Sequence, residues 1–254
     1  MSLCQSPGYC LSVSRYRNTS VILQVLTREY GVVHGVIKGV YSKQKPSMAL
    51  RDALQMGFLI ECTWRDRSGL KNMYNLQLIE PARPANAQVF VSLAYVNELL
   101  KTILAPESSE PKIFYDYARF VSLLPTLKHC TTLAKALRDF ELDFLKALGI
   151  GIDWLWDATY QRSVVSQAYY VFDPEHGMVC AAGAHVPNAL QGLQLQAIAA
   201  GEYENAPLAG AVKRCTRLMI ANQLGGRELK ARSVFRSMFD SSTSFVNPVS
   251  CPQK

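Results

Sequence analysis

The chain has 254 residues, 49% hydrophobic and 19% charged, a globular balance that suits one large domain or two modest ones. No apolar run reaches the ~18 residues of a membrane span, and Met1-Ser2-Leu3-Cys4-Gln5 lacks the charged start and apolar stretch of a signal peptide, so a cytoplasmic protein is expected. The net charge of +7 is uneven: residues 1–80 carry +5, 81–157 carry −1 and 158–254 carry +3, which points to an anionic partner at the two ends of the chain.

Residues 1–80 read as five short strands, Tyr9–Ser14, Ser20–Thr27, Val32–Lys38, Phe58–Trp64 and Met73–Ile79, each rich in β-branched or aromatic residues and bounded by turn formers. Phe58, Ile60, Cys62 and Trp64 alternate onto one face. Arg28-Glu29-Tyr30-Gly31 reads as a tight connection in which Gly31 takes a positive φ. A short helical stretch, Ala49–Gln55, falls between the third and fourth strands, and five strands with a helix at that point is the layout of an OB-fold barrel.

Pro81 and Pro84 close the strand region, and helical periodicity takes over. The stripes are Leu93, Val96, Leu100, Ile103, then Phe114, Tyr117, Val121, Leu124 after Pro111, then Leu133, Leu137, Phe140, Phe144, Leu148 up to Gly149-Ile150-Gly151. Such faces must pack on one another as a helical bundle. Residues 153–187 look irregular, with a hairpin of Tyr169–Phe172 and Met178–Cys180 about Asp173–Gly177. Helices are expected near Pro187–Ala200, near Pro207–Gln223 and after Gly225-Gly226, and residues 240–254 as a disordered tail. The expected class is therefore α+β, an N-terminal OB-fold β-barrel (1–80) followed by an α-helical domain (81–239) with a small insertion at 153–187.

Motifs for chemistry are missing. There is no phosphate loop, no dinucleotide fingerprint and no nucleophile elbow. The seven cysteines are scattered without a C-x-x-C pair and read as reduced thiols, mostly small core residues. Asp139, Glu141 and Asp143 are the one acidic group to weigh as a nuclease metal site. On a helix Glu141 points about 200° away from its neighbours. Asp139 and Asp143 share a face with Lys135 and Lys146, which reads as a solvated, charge-paired surface. No catalytic residue and no metal or other cofactor is expected.

Basic residues are better organised. Arg15 and Arg17 follow the first strand, Lys38 ends the third, Lys43, Lys45 and Arg51 sit in the next connection, and Arg65, Arg67 and Lys71 occupy the following turn. Such a set can track a phosphate backbone, with Tyr16, Tyr41 and Trp64 as stacking faces. Between Pro207 and Arg236 seven basic residues stand against one acid, Glu228. Lys213, Arg214 and Arg217 share a stripe of about 100° opposite Leu208, Val212, Cys215 and Met219. That stripe suits a solvated face, a second nucleic-acid contact or a dock for an acidic peptide.

In order along the chain, Leu11–Ser20, Val25–Gly31, Val36–Val40, Tyr95-Val96-Asn97-Glu98-Leu99-Leu100, Leu137–Leu142, Leu148–Gly151 and Leu224–Arg232 resemble the bacterial recombination mediator family RecO. The resemblance implies a non-catalytic, nucleoid-associated DNA repair protein that binds single- and double-stranded DNA and anneals complementary strands. It further implies work with RecR in loading RecA onto strands coated by SSB. It places the acidic, Phe-ended SSB tail in the helical domain, at positions matching Ile113, Phe114 and Arg138. Two departures stand out: Trp154–Ser166 lacks the cysteines of the zinc site many members carry, so zinc is expected to be absent, and Asp139 replaces a basic residue beside the tail pocket. The rival classes are an OB-fold RNA-binding protein and a metal-dependent nuclease.

Overall fold

The computed structural model describes residues 3–42, 46–65 and 69–239. Five strands, β1 (Leu3–Tyr16), β2 (Ser20–Thr27), β3 (Gly31–Ile37), β4 (Leu59–Arg65) and β5 (Lys71–Glu80), close into a barrel in the order β1-β2-β3-β5-β4, with helix α1 (Pro46–Ala53) before β4. Closure depends on the length of β1. Its first half pairs with β4 (Leu3↔Arg65 to Tyr9↔Leu59) and its second half with β2 (Gly8↔Thr27 to Tyr16↔Ser20). A two-residue parallel contact, Gly35↔Lys71 and Val36↔Asn72, joins β3 to β5. The expected first strand began at Tyr9, because Ser6-Pro7-Gly8 resembles a turn. In the barrel Pro7 lies opposite Glu61, and a Cβ on Gly8 would stand 2.4 Å from Val25 Cγ1, so the small residue lets β2 approach.

The alternation read in β4 points inward: Ile60, Cys62 and Trp64 are buried with Cys10, Val21, Leu23, Val25, Val33, Ile37 and Met73. Trp64, offered above as a stacking face, is therefore a core residue that meets Tyr30 edge-on at 5.1 Å. Burial pushes the thiols of Cys10 and Cys62 up to about 12.

Seven helices in all accompany the strands, among the described residues. After α1 come α2 (Ala87–Ile103), α3 (Pro111–Leu123), α4 (Cys130–Ala147), α5 (Gly192–Ala199), α6 (Ala206–Leu224) and α7 (Lys230–Phe239). Asn86 caps α2 through Val89 N and Asn205 caps α6 through Leu208 N, each at 3.0 Å. In α3 and its C-cap the buried apolar set is Ile113, Tyr117, Phe120 and Leu124, whereas Phe114 and Val121 are only half-buried. Both sets have helical spacing and share Tyr117, so adjacent apolar pairs made the stripe ambiguous by one position.

The helical body does not stand apart from the barrel. Tyr9, Leu11, Leu26 and Val32 from the barrel pack in the same cluster as Leu93, Val96, Leu100, Tyr117, Phe140 and Phe144. The register of β1 on β2 slips between Cys10 and Ser12, a bulge that leaves the Leu11 carbonyl outside the ladder. Asn97 of α2 donates to that carbonyl at 3.0 Å, and Tyr117 of α3 donates to Asn97 Oδ1 at 2.6 Å. All three residues are at most 1% exposed. A second tie follows the α2–α3 linker, where Val32 bridges Pro106, Glu107 N donates to Val32 O at 3.1 Å, and Lys71 pairs with Glu107 at 2.9 Å. Gly31, at φ +62°, clears Ser108 O, which a Cβ would meet at 2.2 Å.

The hairpin read at residues 169–180 is present, β8 (Tyr169–Asp173) with β9 (Gly177–Ala181), but it belongs to a larger sheet. Short strands β6 (Trp156–Asp157), β7 (Arg162–Ser163) and β10 (Leu190–Gln191) extend it in the order β10-β8-β9-β6-β7. Leu190–Gln191 lies where a helix from Pro187 was expected; α5 starts only at Gly192 because the chain first pairs with β8. Trp154, Val164, Tyr170 and Met178 of this sheet bury against Leu195, Leu208, Val212 and Cys215.

Replacing Asn97 by Ala would leave a buried carbonyl and a buried hydroxyl unpaired. A loss of about 2–6 kcal/mol in urea-unfolding stability is expected, at about 1–3 kcal/mol for each unsatisfied group. In native protein a thiol reagent should modify exposed Cys130 well before buried Cys10, Cys62 and Cys215; peptide mapping of the labelled sites checks the order.

Candidate nucleic-acid interface

One end of the barrel gathers cations that are separate in sequence. The end of β1 brings Arg15 to Tyr41, its guanidinium 4.7 Å from the ring centroid, and α1 brings Arg51 to the same ring at 5.0 Å. Arg51 is held there by donating to Val40 O at 2.9 Å, and Tyr41 by its N–H to Thr19 O at 3.1 Å. Two guanidinium groups on one ring repel each other; the π-face offsets part of that cost, and a phosphate would relieve the rest. Arg17 stands 5.1 Å over Tyr16 on the adjoining turn. Lys38 is exposed just beyond β3. It borders a cavity of about 470 Å³ between β3, β5 and α1, whose other walls include Leu50, Asn72, Met73 and Asn75. Tyr74 also lines that cavity, and its hydroxyl is buried without a hydrogen-bond partner among the described residues. Lys43 and Lys45 lie outside the described residues. Arg65 is exposed at the end of β4, opposite Leu3.

Lys71 is different. It starts β5 in parallel register with Gly35, is 2% exposed, and spends its charge on Glu107. The reading of Lys71 as a phosphate contact is corrected by that geometry: it fastens the barrel to the linker.

A second basic face lies on α6. Lys213, Arg214 and Arg217 are exposed together, while Leu208, Val212 and Cys215 turn inward, as the periodicity predicts. Behind that face α4 contributes Arg138, which pairs with Glu141 and donates to Thr216 Oγ1 at 3.0 Å. Glu141 is fully buried and also accepts from the Tyr95 hydroxyl at 2.7 Å. Arg232 of α7 donates to the same hydroxyl at 3.4 Å and stands 5.4 Å over its ring. Burial, then the like charges of Arg138 and Arg232, pull the Arg217 guanidinium below its ordinary value. Arg138 pairs with the Glu141 carboxylate, Arg232 reaches it only through Tyr95, and Arg217 feels both cations, an excess of positive charge suited to an anion.

Ile113, Phe114 and Arg138 do not converge. Ile113 is 1% exposed in the central core, and Phe114 packs on Tyr9 at 5.5 Å between ring centroids. Arg138 instead faces α6, because it lies about 200° around α4 from Phe140, which meets Phe120 of α3 at 5.5 Å. Asp139 and Asp143 are both engaged, the first with Lys135 at 3.1 Å and with the Tyr203 hydroxyl, the second with Arg119. Among the described residues no three His, Cys, Asp or Glu side chains are grouped to hold a metal ion. Sequence reasoning missed the Tyr95–Glu141–Arg232 network, although Tyr95, Glu141 and Arg232 all fall in the quoted motifs.

Those motifs act on each other. Glu98 accepts from Ala231 N at 2.8 Å at the start of α7. Gly225 ends α6 in the left-handed conformation, and Arg227 donates to Leu224 O at 3.0 Å and Thr102 O at 2.9 Å, closing the C-terminal ends of α6 and α2.

Fold and site define a two-part protein, a closed five-stranded barrel with a cationic end fixed on a helical body with a second cationic face. The model for the N-terminal part of recombination protein O matches residues 1–82, and that for its C-terminal part matches residues 88–233. DNA repair protein RecO of Hamiltonella defensa is 33% identical over 229 residues, 90% of this chain and 95% of its own. The Proteus mirabilis protein of the same name is 32% identical over 90% of this chain and 91% of its own, and that of Pseudoalteromonas atlantica 31% over 93% and 95%. The chain belongs to the RecO family, a family of DNA repair proteins.

Arg138→Ala would strand Glu141 as an unpaired buried charge, and a loss of about 3–5 kcal/mol is expected. Adding Glu141→Gln should restore most of it. Urea midpoints at constant slope test both.

Proposed function

We propose that this chain binds and anneals DNA strands and acts as a recombination mediator that helps load RecA onto SSB-coated single strands, in cooperation with RecR. The observation that carries this reading is the pairing of Arg15 and Arg51 on Tyr41 at the barrel end, an excess of cation with no carboxylate in the contact among the described residues. Arg15, Lys38 and Arg65, together with Lys43 and Lys45, would take phosphates of one strand. Lys213, Arg214 and Arg217 would take further phosphates of a single or double strand. Annealing needs no general acid or base under this reading. Neutralised phosphates repel less, and two strands held on one protein meet at high effective concentration.

For the SSB tail, the α4–α6 face is the better proposal than a pocket around Ile113 and Phe114. A terminal carboxylate and neighbouring acidic side chains match the crowded Arg138, Arg217 and Arg232. Because Arg138 also holds Glu141, its removal alone confounds binding with stability. Arg217→Ala is the cleaner variant, since Arg217 is exposed.

Binding to a fluorescent single strand should weaken steeply with salt, with a log–log slope of about −0.7 for each phosphate contacted. Arg15→Ala with Arg51→Ala should make that slope shallower by about one unit and slow annealing; salt-independent binding would sink the electrostatic reading, and preference for RNA in competition would favour the RNA-binding alternative. An acidic peptide ending in Phe should bind the full chain by calorimetry and lose about 5- to 60-fold affinity in Arg217→Ala, as for one charge-assisted contact of about 1–2.5 kcal/mol.

A further inference from the structure

The small sheet carries an exposed surface that neither cationic face explains. Leu155, Val165 and Leu193 are exposed there, Trp156 to 45% and Tyr160 to 60%. Backbone bonds hold this neighbourhood together: Val164 N donates to Leu155 O and Leu193 N to Ser166 O, each at 2.9 Å. Trp156 and Tyr160 belong to the β6–β7 hairpin, where Trp156 pairs with Ser163 and Asp157 with Arg162. The two rings stand four positions apart in the chain, so their Cα atoms lie within about 14 Å. β7 is the outermost strand, and the hairpin forms that edge of the sheet.

The positions beneath the hairpin are already filled. Trp154 and Val164 sit in the core beneath it. Asp157 is fully buried, and its Oδ1 accepts from Thr159 N at 2.9 Å and Tyr160 N at 3.2 Å, which fixes the turn. Thr159 Oγ1 accepts from Cys180 N at 2.8 Å, which ties the turn to β9. Trp156 and Tyr160 are therefore not spare core residues. The fold holds them outward on a fixed frame.

The local charge narrows the ligand. Arg162 holds its guanidinium 4.9 Å from the Tyr160 centroid. No Asp or Glu occurs in residues 158–172 or 176–201, and the two carboxylates between them, Asp173 and Glu175, belong to the β8–β9 turn. A guanidinium beside two exposed π-faces, with its cross-strand neighbour Asp157 buried and turned to the Thr159 and Tyr160 amides, matches an unpaired nucleobase with its phosphate. An acidic peptide would use the cation and leave the rings idle.

We propose that the β6–β7 hairpin is a stacking site for single-stranded nucleic acid: unpaired bases lie on Trp156 and Tyr160, and Arg162 takes an adjoining phosphate. The proposal rests on the reading of this chain as a single-strand binder. Paired bases in a duplex do not present their faces, so the site distinguishes single from double strands.

The chain has three tryptophans, and Trp64 and Trp154 are 1% and 7% exposed, so quenching of Trp emission by a bound base reports on Trp156. Oligo-dT should be titrated into the full chain with emission and the anisotropy of a labelled oligo-dT read in parallel. Quenching that saturates with the anisotropy is expected, and it should vanish in Trp156→Phe. Trp156→Ala should lose about 5- to 150-fold affinity for oligo-dT, as for one stacked base, and keep its duplex affinity. Unchanged emission at saturation, or unchanged oligo-dT affinity in Trp156→Ala, overturns the site while single-strand binding stands. No binding by anisotropy would remove the underlying reading as well. Should Trp156→Ala not fold, Arg162→Glu takes its place, with weaker oligo-dT binding expected and unchanged binding contradicting the proposal.

Discussion

The Asn97 side chain is the point on which the arrangement depends. A barrel strand that bulges at Leu11 exposes a carbonyl which would be costly to bury alone. Asn97 satisfies it from α2 and is itself positioned by Tyr117 of α3, so three elements meet in one buried polar contact. Around it the apolar residues of barrel and helices form a continuous cluster. Apolar packing supplies most of the stabilisation and is not directional; the hydrogen bonds select the orientation of the barrel on the helices.

That orientation matters because the two cationic surfaces stand on different parts of the chain. The barrel end carries Arg15, Arg51 and Lys38, and the helical face carries Lys213, Arg214 and Arg217. Both are crowded beyond what their carboxylates neutralise. Tyr41 offsets part of the repulsion at the barrel, while Glu141 and Tyr95 do so between Arg138 and Arg232. Lys71, read from its sequence position as a turn residue, instead serves the frame through Glu107. Charge in this molecule is therefore of two kinds, one pair that locks the two parts together and two cationic clusters that stand on its surface.

Local patterns made much of this legible. Alternation in β4, the glycine at position 31 and the stripe of α6 all translate directly into pleat, turn and helix face. What escaped was non-local. Ser6-Pro7-Gly8 looks like a turn, and only the pairing with β4 makes it strand. Strands of two residues, such as β6 and β7, have no period to detect. Lys71 meets Glu107 and Tyr95 meets Glu141 across more than thirty intervening positions, which no spacing rule reports. The motif residues Tyr95, Asn97 and Glu98 were recognisable as a pattern before any role was visible; their roles are to hold α4, β1 and α7 against α2.

A frame that holds two cationic surfaces in one orientation should place one nucleic-acid ligand against both. Photo-cross-linking of a single strand carrying 4-thiothymine at successive positions, followed by mass spectrometry of the attached peptides, tests this most directly. Cross-links on both the barrel end, around Arg15 to Tyr41, and α6, around Lys213 to Arg217, are expected from one strand. Cross-links confined to the barrel at every position, with α6 never labelled, would contradict the two-surface arrangement.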